Sequence, residues 1–301
     1  MKIGLVGLGK MGSNLAQNMM DHGNEVVAFD LNQDFVNEAA GFGAQPATSL
    51  EDLLSKLTTP KIVWLMLPAG KPTDSTITTL TEKLNAGDFI IDGGNSFWKD
   101  SAAAAKVAEA QGINFFDCGT SGGQAGAREN GNFMIGGTSA KAFETLKPLF
   151  EGISDKNGYL YTGAAGSGHY LKMVHNGIEY GMMEAIGEGF DVLAHSDFDY
   201  DNEAVAKLWN SGSVVRSWLM ELIQEAFADD EKLDDIKGVM HSSGEGKWTL
   251  QEALDQQVAT PVIGLSLMMR YRSMETDTMT GKVVAALRNG FGGHAVDKAK
   301  K

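Results

Sequence analysis

Short apolar runs alternate with amphipathic stretches through the first half of the chain. The run at residues 2–6 is followed by a glycine turn, by a helical pattern with Leu15 and Met19 on one side, and by a second apolar run at 25–29. This order is typical of a β-α-β unit of about thirty residues. Three later runs, KIVWLMLPAG, DFIIDGGNS and NFFDCGTSGG, also contain glycine or proline near their ends. Continuous apolar runs of this kind predict parallel strands that are buried on both faces.

The pattern changes after about residue 162, where helical spacing takes over. The segment GAAGSGH, residues 163–169, has the glycine content of a hinge. Helical patterns follow it at 168–195, 202–227, 249–256 and 261–289. We therefore predict an α/β amino-terminal domain over residues 1–162, Rossmann-like with a mainly parallel, doubly wound sheet, followed by an all-α domain over residues 163–301.

Three glycines stand at the first strand-to-helix junction. Gly7, Gly9 and Gly12 form the pattern GxGxxG. In this pattern the first glycine allows the turn, the second allows a ligand to approach the backbone, and the third lets the helix pack on the strand. The amino terminus of the helix then offers its N–H groups to a pyrophosphate. The pattern alone is weak evidence, but inside a β-α-β unit it predicts a dinucleotide site.

The end of the second strand indicates which dinucleotide is bound. The carboxylate of Asp30 could accept hydrogen bonds from the adenosine ribose hydroxyls and would repel a 2′-phosphate. Asn32 and Gln33 follow it, and no arginine is at hand to receive a phosphate. NAD is therefore favoured over NADP. The alternative is that Asp30 only starts a turn in the sequence DLNQD.

The loops that follow the strands should gather at one edge of the sheet. Ligands of an open α/β sheet bind beyond the carboxyl ends of the strands, so the loops at 67–69, 92–96 and 120–123 should share a cleft that holds the nicotinamide. The glycine pairs in DGGN and SGG could be tight turns, but together they indicate close approach of the backbone to a ligand. The residues expected to bind the cofactor are Gly7, Leu8, Gly9, Lys10, Met11, Gly12, Asp30, Leu67, Pro68, Ala69 and Asn95.

The segment GHYLKMVHNGIEYG, residues 168–181, has a polar stripe where a buried helix should be apolar. The polar side chains that share one helix face are Lys172, His175, Asn176, Glu179 and Tyr180. The opposite side, which we expect to meet the core, carries Leu171, Val174, Ile178 and Met182. Lys172 and Glu179 are two turns apart, about 10 Å, which leaves room for a small substrate between a base and an acid. Taken singly, each is more often a solvated side chain.

Composition and charge exclude several classes of function. A net charge of −14 with no basic patch argues against a nucleic-acid partner. We interpret the acidic run ADDEKLDD as a solvated surface. The single cysteine, Cys118, fits a reducing compartment and is expected to be a small buried residue. His169 and His175 lie on opposite helix faces, so they cannot share a metal. Since no signal peptide or long apolar segment is present, we expect a soluble, cytoplasmic protein that does not enter a membrane.

Several motifs together resemble 6-phosphogluconate dehydrogenase in its short, decarboxylating form. They are GLGKMGSNLAQNM, IIDGGNS, DCGTSGGQAGARENG, GSGHYLKMVHNGIEYG, GKWT and FGGH. The match covers nearly the whole chain; KMVHNGIEYG is highly specific, whereas GLGxMG and SGGxxGA are shared with the wider β-hydroxyacid dehydrogenases. The resemblance implies oxidation of 6-phosphogluconate at C3 with hydride transfer to NAD, loss of CO2, and formation of ribulose 5-phosphate. No metal is implied, because a β-keto acid loses CO2 readily once its ketone oxygen is stabilised.

The resemblance also implies roles for individual residues. Lys172 would take the proton of the 3-hydroxyl and then polarise the ketone, and Glu179 would protonate C1 of the enediol. The substrate carboxylate and hydroxyls would be held by Asn95, Ser121, Gly122, Gly123, His175 and Asn176. Tyr180 and Arg270 would meet the phosphate.

The carboxyl-terminal sequence LRNGFGGH resembles the family's tail, which completes the site of a neighbouring subunit. Arg288 and His294 are the residues concerned, and the resemblance thus implies a homo-oligomer that is at least a dimer. The glycines of this segment are explained equally well by a helix end.

Two features depart from the longer family members. Ser243, in SSGEGKW, stands where those members have a lysine that meets the phosphate, and Glu245 is nearby. The chain also lacks their second set of helices, so a partner subunit is expected to cover the surface those helices would cover.

Two other functions compete with this interpretation. Another β-hydroxyacid dehydrogenase, for example one that acts on 3-hydroxyisobutyrate, would share Lys172 but would not need the polar set from His175 to Tyr180 or the arginine of the tail. The second alternative function is that of a protein that senses NAD without turnover. The presence of both Lys172 and Glu179 argues against it.

Overall fold

The computed structural model describes residues 1–298. The chain divides into two compact units, Met1–Asn176 and the part that begins at Gly177. The sequence-based boundary near Thr162 stays a prediction. Within residues 1–298 no helix has both the length and the apolar character that crossing a membrane requires.

The first unit is built on one eight-stranded sheet with the order β3-β2-β1-β4-β5-β6-β7-β8. All strand pairs are parallel except β6 with β7, which confirms the prediction of a mainly parallel sheet. The strands are β1 (Lys2–Val6), β2 (Glu25–Phe29), β3 (Gln45–Pro46), β4 (Ile62–Leu65), β5 (Phe89–Asp92), β6 (Asn114–Ser121), β7 (Gly131–Gly137) and β8 (Ser154–Gly163). The strand order reverses between β1 and β4, which is where this kind of sheet binds its ligand.

Helices cover both faces of this sheet. They are α1 (Lys10–Asp21), α2 (Gln33–Gly41), α3 (Leu50–Lys56), α4 (Lys71–Lys83), α5 (Trp98–Ala110), α6 (Gly123–Arg128) and α7 (Ala140–Ile153). Along β4, Ile62 and Trp64 enter one core while Val63 and Leu65 enter the other. Because both faces are buried, nearly every position of such a strand is apolar, and this is the reason why continuous apolar runs mark the strands.

The long helix α8 (Ser167–Ala194) contains the division between the units, and the second unit is otherwise helical. Its further helices are α9 (Asn202–Asn210), α10 (Trp218–Asp229), α11 (Gly244–Asp255), α12 (Pro261–Ser273) and α13 (Met279–Gly292). The predictions of single helices over 202–227 and 261–289 are wrong. Gly212, with a φ of 82°, lies between α9 and α10. Thr278 caps the amino terminus of the separate helix α13, where its side chain accepts the N–H of Gly281.

The prediction that the apolar side of α8 meets the core is also wrong. Ile178 is 54% exposed, and Leu171 and Met182 are exposed as well. The polar side is the buried one, with Lys172 among its buried residues. The physical reason lies in β6, where Gly119 has no side chain: a Cβ there would lie 2.4 Å from the Cβ of Lys172.

Candidate active site

The glycine turn after β1 has the geometry of a dinucleotide loop. Gly7 has a φ of 95°, which glycine adopts without strain. A Cβ on Gly12 would lie 2.0 Å from the carbonyl oxygen of Gly7, whereas a Cβ on Gly9 would meet nothing within 4 Å. Gly12 therefore permits the packing of α1 on the turn, and Gly9 keeps an open approach to the backbone. No side chain caps the amino terminus of α1, so its first N–H groups remain suited to an anion.

A cavity of about 760 Å³ opens beside this turn at the carboxyl ends of the strands. Its lining includes residues from the glycine turn and the strand-end loops, as expected: Gly7, Gly9, Lys10, Met11, Gly12, Asp30, Leu67, Pro68, Asn95 and Thr120. Leu8 and Ala69, also predicted to bind the cofactor, do not line it. Sequence reasoning missed Leu31, Phe35, Leu50, Pro72, Ser75 and Thr76. The volume, the open glycine backbone and the uncapped helix all fit a dinucleotide.

Asp30 ties the glycine turn to the end of β2. Its Oδ2 accepts the N–H of Leu8 at 2.6 Å, and its Oδ1 accepts the N–H of Asn32 at 2.8 Å. The second bond forms the turn that was the alternative interpretation of Asp30. Asp30 therefore has a structural function whether or not it also binds the cofactor. Each carboxylate oxygen can accept more than one hydrogen bond. Asp30 therefore also retains the capacity to accept ribose hydroxyls in the cavity.

Three predicted substrate residues and the predicted base Lys172 form one hydrogen-bonded row in the first unit. Ser121 Oγ lies 3.1 Å from His175 Nε2, and His175 Nδ1 lies 3.0 Å from Asn176 Oδ1. The same oxygen of Asn176 accepts a short hydrogen bond from Lys172 Nζ. An amide oxygen only accepts, so Nδ1 of His175 carries a proton. In neutral imidazole Nε2 then accepts from the hydroxyl of Ser121. The row thus presents an amine, an imidazole and a hydroxyl in fixed order.

The end of β6 places this row next to the cavity. Thr120 lines the cavity, and Ser121 is the next residue. Gly122 and Gly123 follow with φ values of 101° and 60°, which allow the chain to turn sharply into α6. Asn95, at the end of the neighbouring strand β5, lines the cavity too. The amine-containing row and the dinucleotide cavity are therefore built on adjacent strand ends of one sheet.

A second cluster lies within the second unit. The hydroxyl of Tyr180 is 3.0 Å from Ser243 Oγ and accepts the N–H of Ser243 at 3.1 Å. The guanidinium of Arg270 lies 3.6 Å from the centre of the Tyr180 ring, a cation–π contact. Ser243 also precedes α11, whose amino terminus has no side-chain cap. Hydroxyl groups, a guanidinium and helix N–H groups together are suited to an oxyanion.

The remaining predicted residues lie on α8 and on or just after α13. Glu179 is half-buried on α8. Arg288 lies on α13 and His294 just after it; both are exposed, and α13 has no buried residue.

Neither a reactive thiol nor a metal site is indicated within residues 1–298. Cys118 is a free, fully buried thiol in β6. Burial, with the negative charge of Asp117 beside it, raises the pKa of Cys118 well above its usual range. Within residues 1–298 there is no grouping of three or more His, Cys, Asp or Glu residues that could hold a metal ion.

Comparison with known proteins decides the family. Residues 2–163 match the NAD binding domain of 6-phosphogluconate dehydrogenase, and residues 168–301 match the carboxyl-terminal domain of the same enzyme. The chain belongs to the 6-phosphogluconate dehydrogenase family. The predicted family and the predicted fold class are thereby confirmed.

Individual members of the 6-phosphogluconate dehydrogenase family are similar over the full length. The chain is 56% identical over 298 residues to Bacillus subtilis YqeC, provisionally named a 6-phosphogluconate dehydrogenase; the match covers 99% of the chain and 100% of that protein. It is 44% identical to the NAD(+)-dependent, decarboxylating 6-phosphogluconate dehydrogenase of Haloferax volcanii, covering 98% of each. The structure of Plasmodium falciparum 6-phosphogluconate dehydrogenase matches with a TM-score of 0.84 and 30% identity, over 100% of this chain and 67% of that one.

Proposed function

We propose that the protein oxidises 6-phosphogluconate and decarboxylates the product to ribulose 5-phosphate and CO2, with NAD as the hydride acceptor. The observation that carries this proposal is the row from Ser121 to Lys172 at the strand ends beside the dinucleotide cavity. The full-length similarity to relatives that are named for this reaction supports it.

Lys172 is proposed to act twice in this reaction. Its amine would first take the proton of the 3-hydroxyl; NAD, when bound in the cavity, would supply the acceptor for the hydride from C3. The resulting ammonium then stabilises the negative charge that develops on the ketone oxygen as the carboxylate leaves as CO2. The hydrogen bond to Asn176 holds the amine, and His175 with Ser121 would bind the substrate hydroxyls and carboxylate together with Asn95, Gly122 and Gly123. Because Lys172 is buried, its charge acts in a medium that screens it poorly.

Glu179 and the cluster of the second unit are proposed to complete the reaction. Glu179, two helical turns after Lys172 on the same helix, would protonate C1 of the enediol. Tyr180, Arg270 and Ser243 would hold the phosphate, with Ser243 and the amino terminus of α11 supplying donors at the position of the lysine in longer members. The cation–π contact keeps the guanidinium in place for a bidentate interaction with phosphate.

The direct test measures CO2 release and cofactor reduction from 6-phosphogluconate, with NAD and NADP compared in parallel. We expect both products in equal amounts, with NAD preferred. Reduction without CO2, or turnover of 3-hydroxyisobutyrate instead, would favour another β-hydroxyacid dehydrogenase. Binding of NAD without any turnover of these substrates would favour the sensing function.

Replacing Asp30 should change the cofactor preference. Asp30→Ala removes acceptors for the ribose hydroxyls and the charge that repels a 2′-phosphate, and it also releases the N–H of Leu8 in the glycine turn. Hydrogen bonds to charged groups are worth about 1.5–3 kcal/mol, so we expect the KM for NAD to rise roughly 10- to 100-fold and the preference over NADP to fall. Asp34→Ala, an exposed acid at the start of α2, is the control. An unchanged ratio of kcat/KM for the two cofactors would contradict the assignment of Asp30.

We further propose that α13 binds a second copy of the chain. None of its residues is buried, and it exposes Val284, Leu287 and Phe291, which share one helix face. An isolated apolar helix face is costly in water, and Arg288 on the same helix would then reach the partner's site. Leu287→Glu should yield monomers in light scattering. It should also lower kcat at least tenfold, which corresponds to an activation free energy higher by about 1.4 kcal/mol.

Val107→Glu is the matched control for this variant. Val107 is 58% exposed in α5 of the first unit, and Leu287 is 61% exposed. The control should leave both mass and kcat unchanged. A Leu287→Glu protein that is monomeric and fully active would contradict the proposed role of the tail.

A further inference from the structure

The buried carboxylate of Asp117 holds the start of the helix that carries Lys172. Asp117 lies in β6 and is fully buried. Its Oδ1 accepts the N–H of Gly166 at 2.6 Å, and its Oδ2 accepts the N–H of His169 at 2.8 Å. These N–H groups belong to the amino terminus of α8, where donors have no helical partner. A carboxylate in this place also interacts favourably with the helix dipole.

Two glycines bring the strand and the helix into direct backbone contact. A Cβ on Gly119, two residues after Asp117, would lie 2.4 Å from the Cβ of Lys172. A Cβ on Gly168, in the first turn of α8, would lie 2.7 Å from the carbonyl oxygen of Asp117. There is no room for a side chain at either position. The position of Lys172 over β6 is therefore set by the close approach of α8 to this strand, in a closely packed interior that adjusts little.

The first turn of α8 is also attached to α5. His169 is buried, and its Nδ1 lies 2.8 Å from Ser101 Oγ. The carboxylate beside Asp117 on the sheet, Asp92, interacts electrostatically with His169, and its Oδ1 accepts the N–H of Gly94 at 3.2 Å. Of these two carboxylates, Asp117 is the one whose oxygens accept backbone N–H groups at the start of α8.

We propose that Asp117 is a positioning residue for Lys172: it fixes the first turn of α8 and, through that turn, the place of the lysine amine in the reaction. The proposal rests on the proposed function, in which Lys172 is the base. Asp117 itself does not touch the substrate, because it is fully buried and both of its oxygens bind backbone N–H groups.

The chain supplies a matched control in Asp88. Asp88 is also buried, and its two oxygens accept the N–H groups of Lys61 at 2.8 Å and Asn85 at 2.9 Å. It directly precedes β5, so it lies at the amino-terminal edge of the sheet, opposite the edge where the cavity opens. It has the burial and the bonding of Asp117 without any link to α8.

The test compares Asp117→Asn with Asp88→Asn. Each variant exchanges an acceptor oxygen for an NH2 group, so both should unfold at lower urea concentrations. Only Asp117→Asn should lower kcat, by about 10- to 100-fold, with a KM for NAD within about twofold of the wild type, because small displacements of a catalytic group cost this much. An equal loss of kcat in both variants, or an unchanged kcat in Asp117→Asn, would overturn the proposal.

A second measurement separates this proposal from the proposed function. The rate at which trinitrobenzenesulfonate modifies Lys172 is followed by peptide mass spectrometry without substrate. Asp117→Asn should raise this rate, because the first turn of α8 opens more often, and Asp88→Asn should not. If the wild type did not turn over 6-phosphogluconate, the proposed function would fail while the labelling still decided the role of Asp117. Equal labelling of Lys172 in all three proteins would overturn that role.

A third variant tests the same point if Asp117→Asn does not fold. Gly119→Ala leaves Asp117 intact but places a methyl group against Lys172, and it should lower kcat in the same way. Gly41→Ala, where a Cβ meets nothing within 4 Å, is its control. An unchanged kcat in Gly119→Ala would overturn the proposal.

Discussion

Lys172→Met should lower kcat with 6-phosphogluconate by about three orders of magnitude or more. General base catalysis contributes about 10²- to 10⁴-fold, and the variant also loses the charge that stabilises the ketone oxygen. Methionine has a similar length and fills the buried place, and Asn176 Oδ1 keeps His175 as its donor. The protein should therefore remain folded. Stopped-flow and steady-state assays of cofactor reduction would measure the loss.

NAD binding separates a lost base from a damaged protein. Lys172 does not line the dinucleotide cavity, so the Kd for NAD, measured by calorimetry without substrate, should stay at the wild-type value. Lys106→Met, in an exposed position of α5, is the control and should keep full activity. A kcat of Lys172→Met close to that of Lys106→Met would mean that another group takes the proton.

Alanine at Gly12 should lower stability and alanine at Gly9 should not, whereas both should weaken NAD binding. At Gly12 the new Cβ would lie 2.0 Å from a backbone oxygen of the turn, which cannot rotate away. We expect the free energy of unfolding to fall by about 1–3 kcal/mol, the usual cost of overpacking. NAD binding should be lost with it, because the turn and α1 must move apart.

At Gly9 the added methyl group meets no protein atom within 4 Å, and the backbone at φ −59° and ψ −177° suits alanine. The free energy of unfolding should change by less than about 0.5 kcal/mol. The methyl group instead fills the space through which a pyrophosphate approaches, so the Kd for NAD should rise about 10- to 100-fold.

Gly41→Ala provides the comparison for both glycine variants. It adds a methyl group in open space at the end of α2, away from the cavity. For Gly41→Ala, urea unfolding should show wild-type stability, and calorimetry should show wild-type binding of NAD. If Gly9→Ala bound NAD as tightly as Gly41→Ala does, the cavity beside the glycine turn would not be the dinucleotide site.

Sequence reasoning was most successful where the information is local. The apolar runs at β4 and β5 predicted buried strands because both faces of such a strand are covered, so that nearly all of its side chains are apolar. It failed where a helical pattern was interrupted by a short turn, as at residues 211–217 between α9 and α10, which include Gly212 with a positive φ. Helical spacing is present on both sides of this turn, so a periodicity argument passes over it.

The candidate site was only partly accessible to the sequence. The GxGxxG pattern, Asp30 and the polar residues of α8 were identified from spacing and from the family resemblance. Asp117 was not identified, although a lone acid in the apolar run NFFDCG is a signal of a buried carboxylate with specific partners. The cavity residues Phe35 and Pro72 gave no signal at all, because they meet the dinucleotide turn only after α2 and α4 pack on the sheet.

The sequence by itself determined the alternation of strands and helices in the first half of the chain, the glycine turn and the family, since these depend on spacing between residues close along the chain. Only the tertiary structure decided which side of α8 is buried. By polarity alone the side with Leu171 and Ile178 should face the core, but Gly119 on a distant strand leaves space only for the side that carries Lys172. The close approach of the helix to a glycine in the strand thus outweighed the hydrophobic pattern of a single helix.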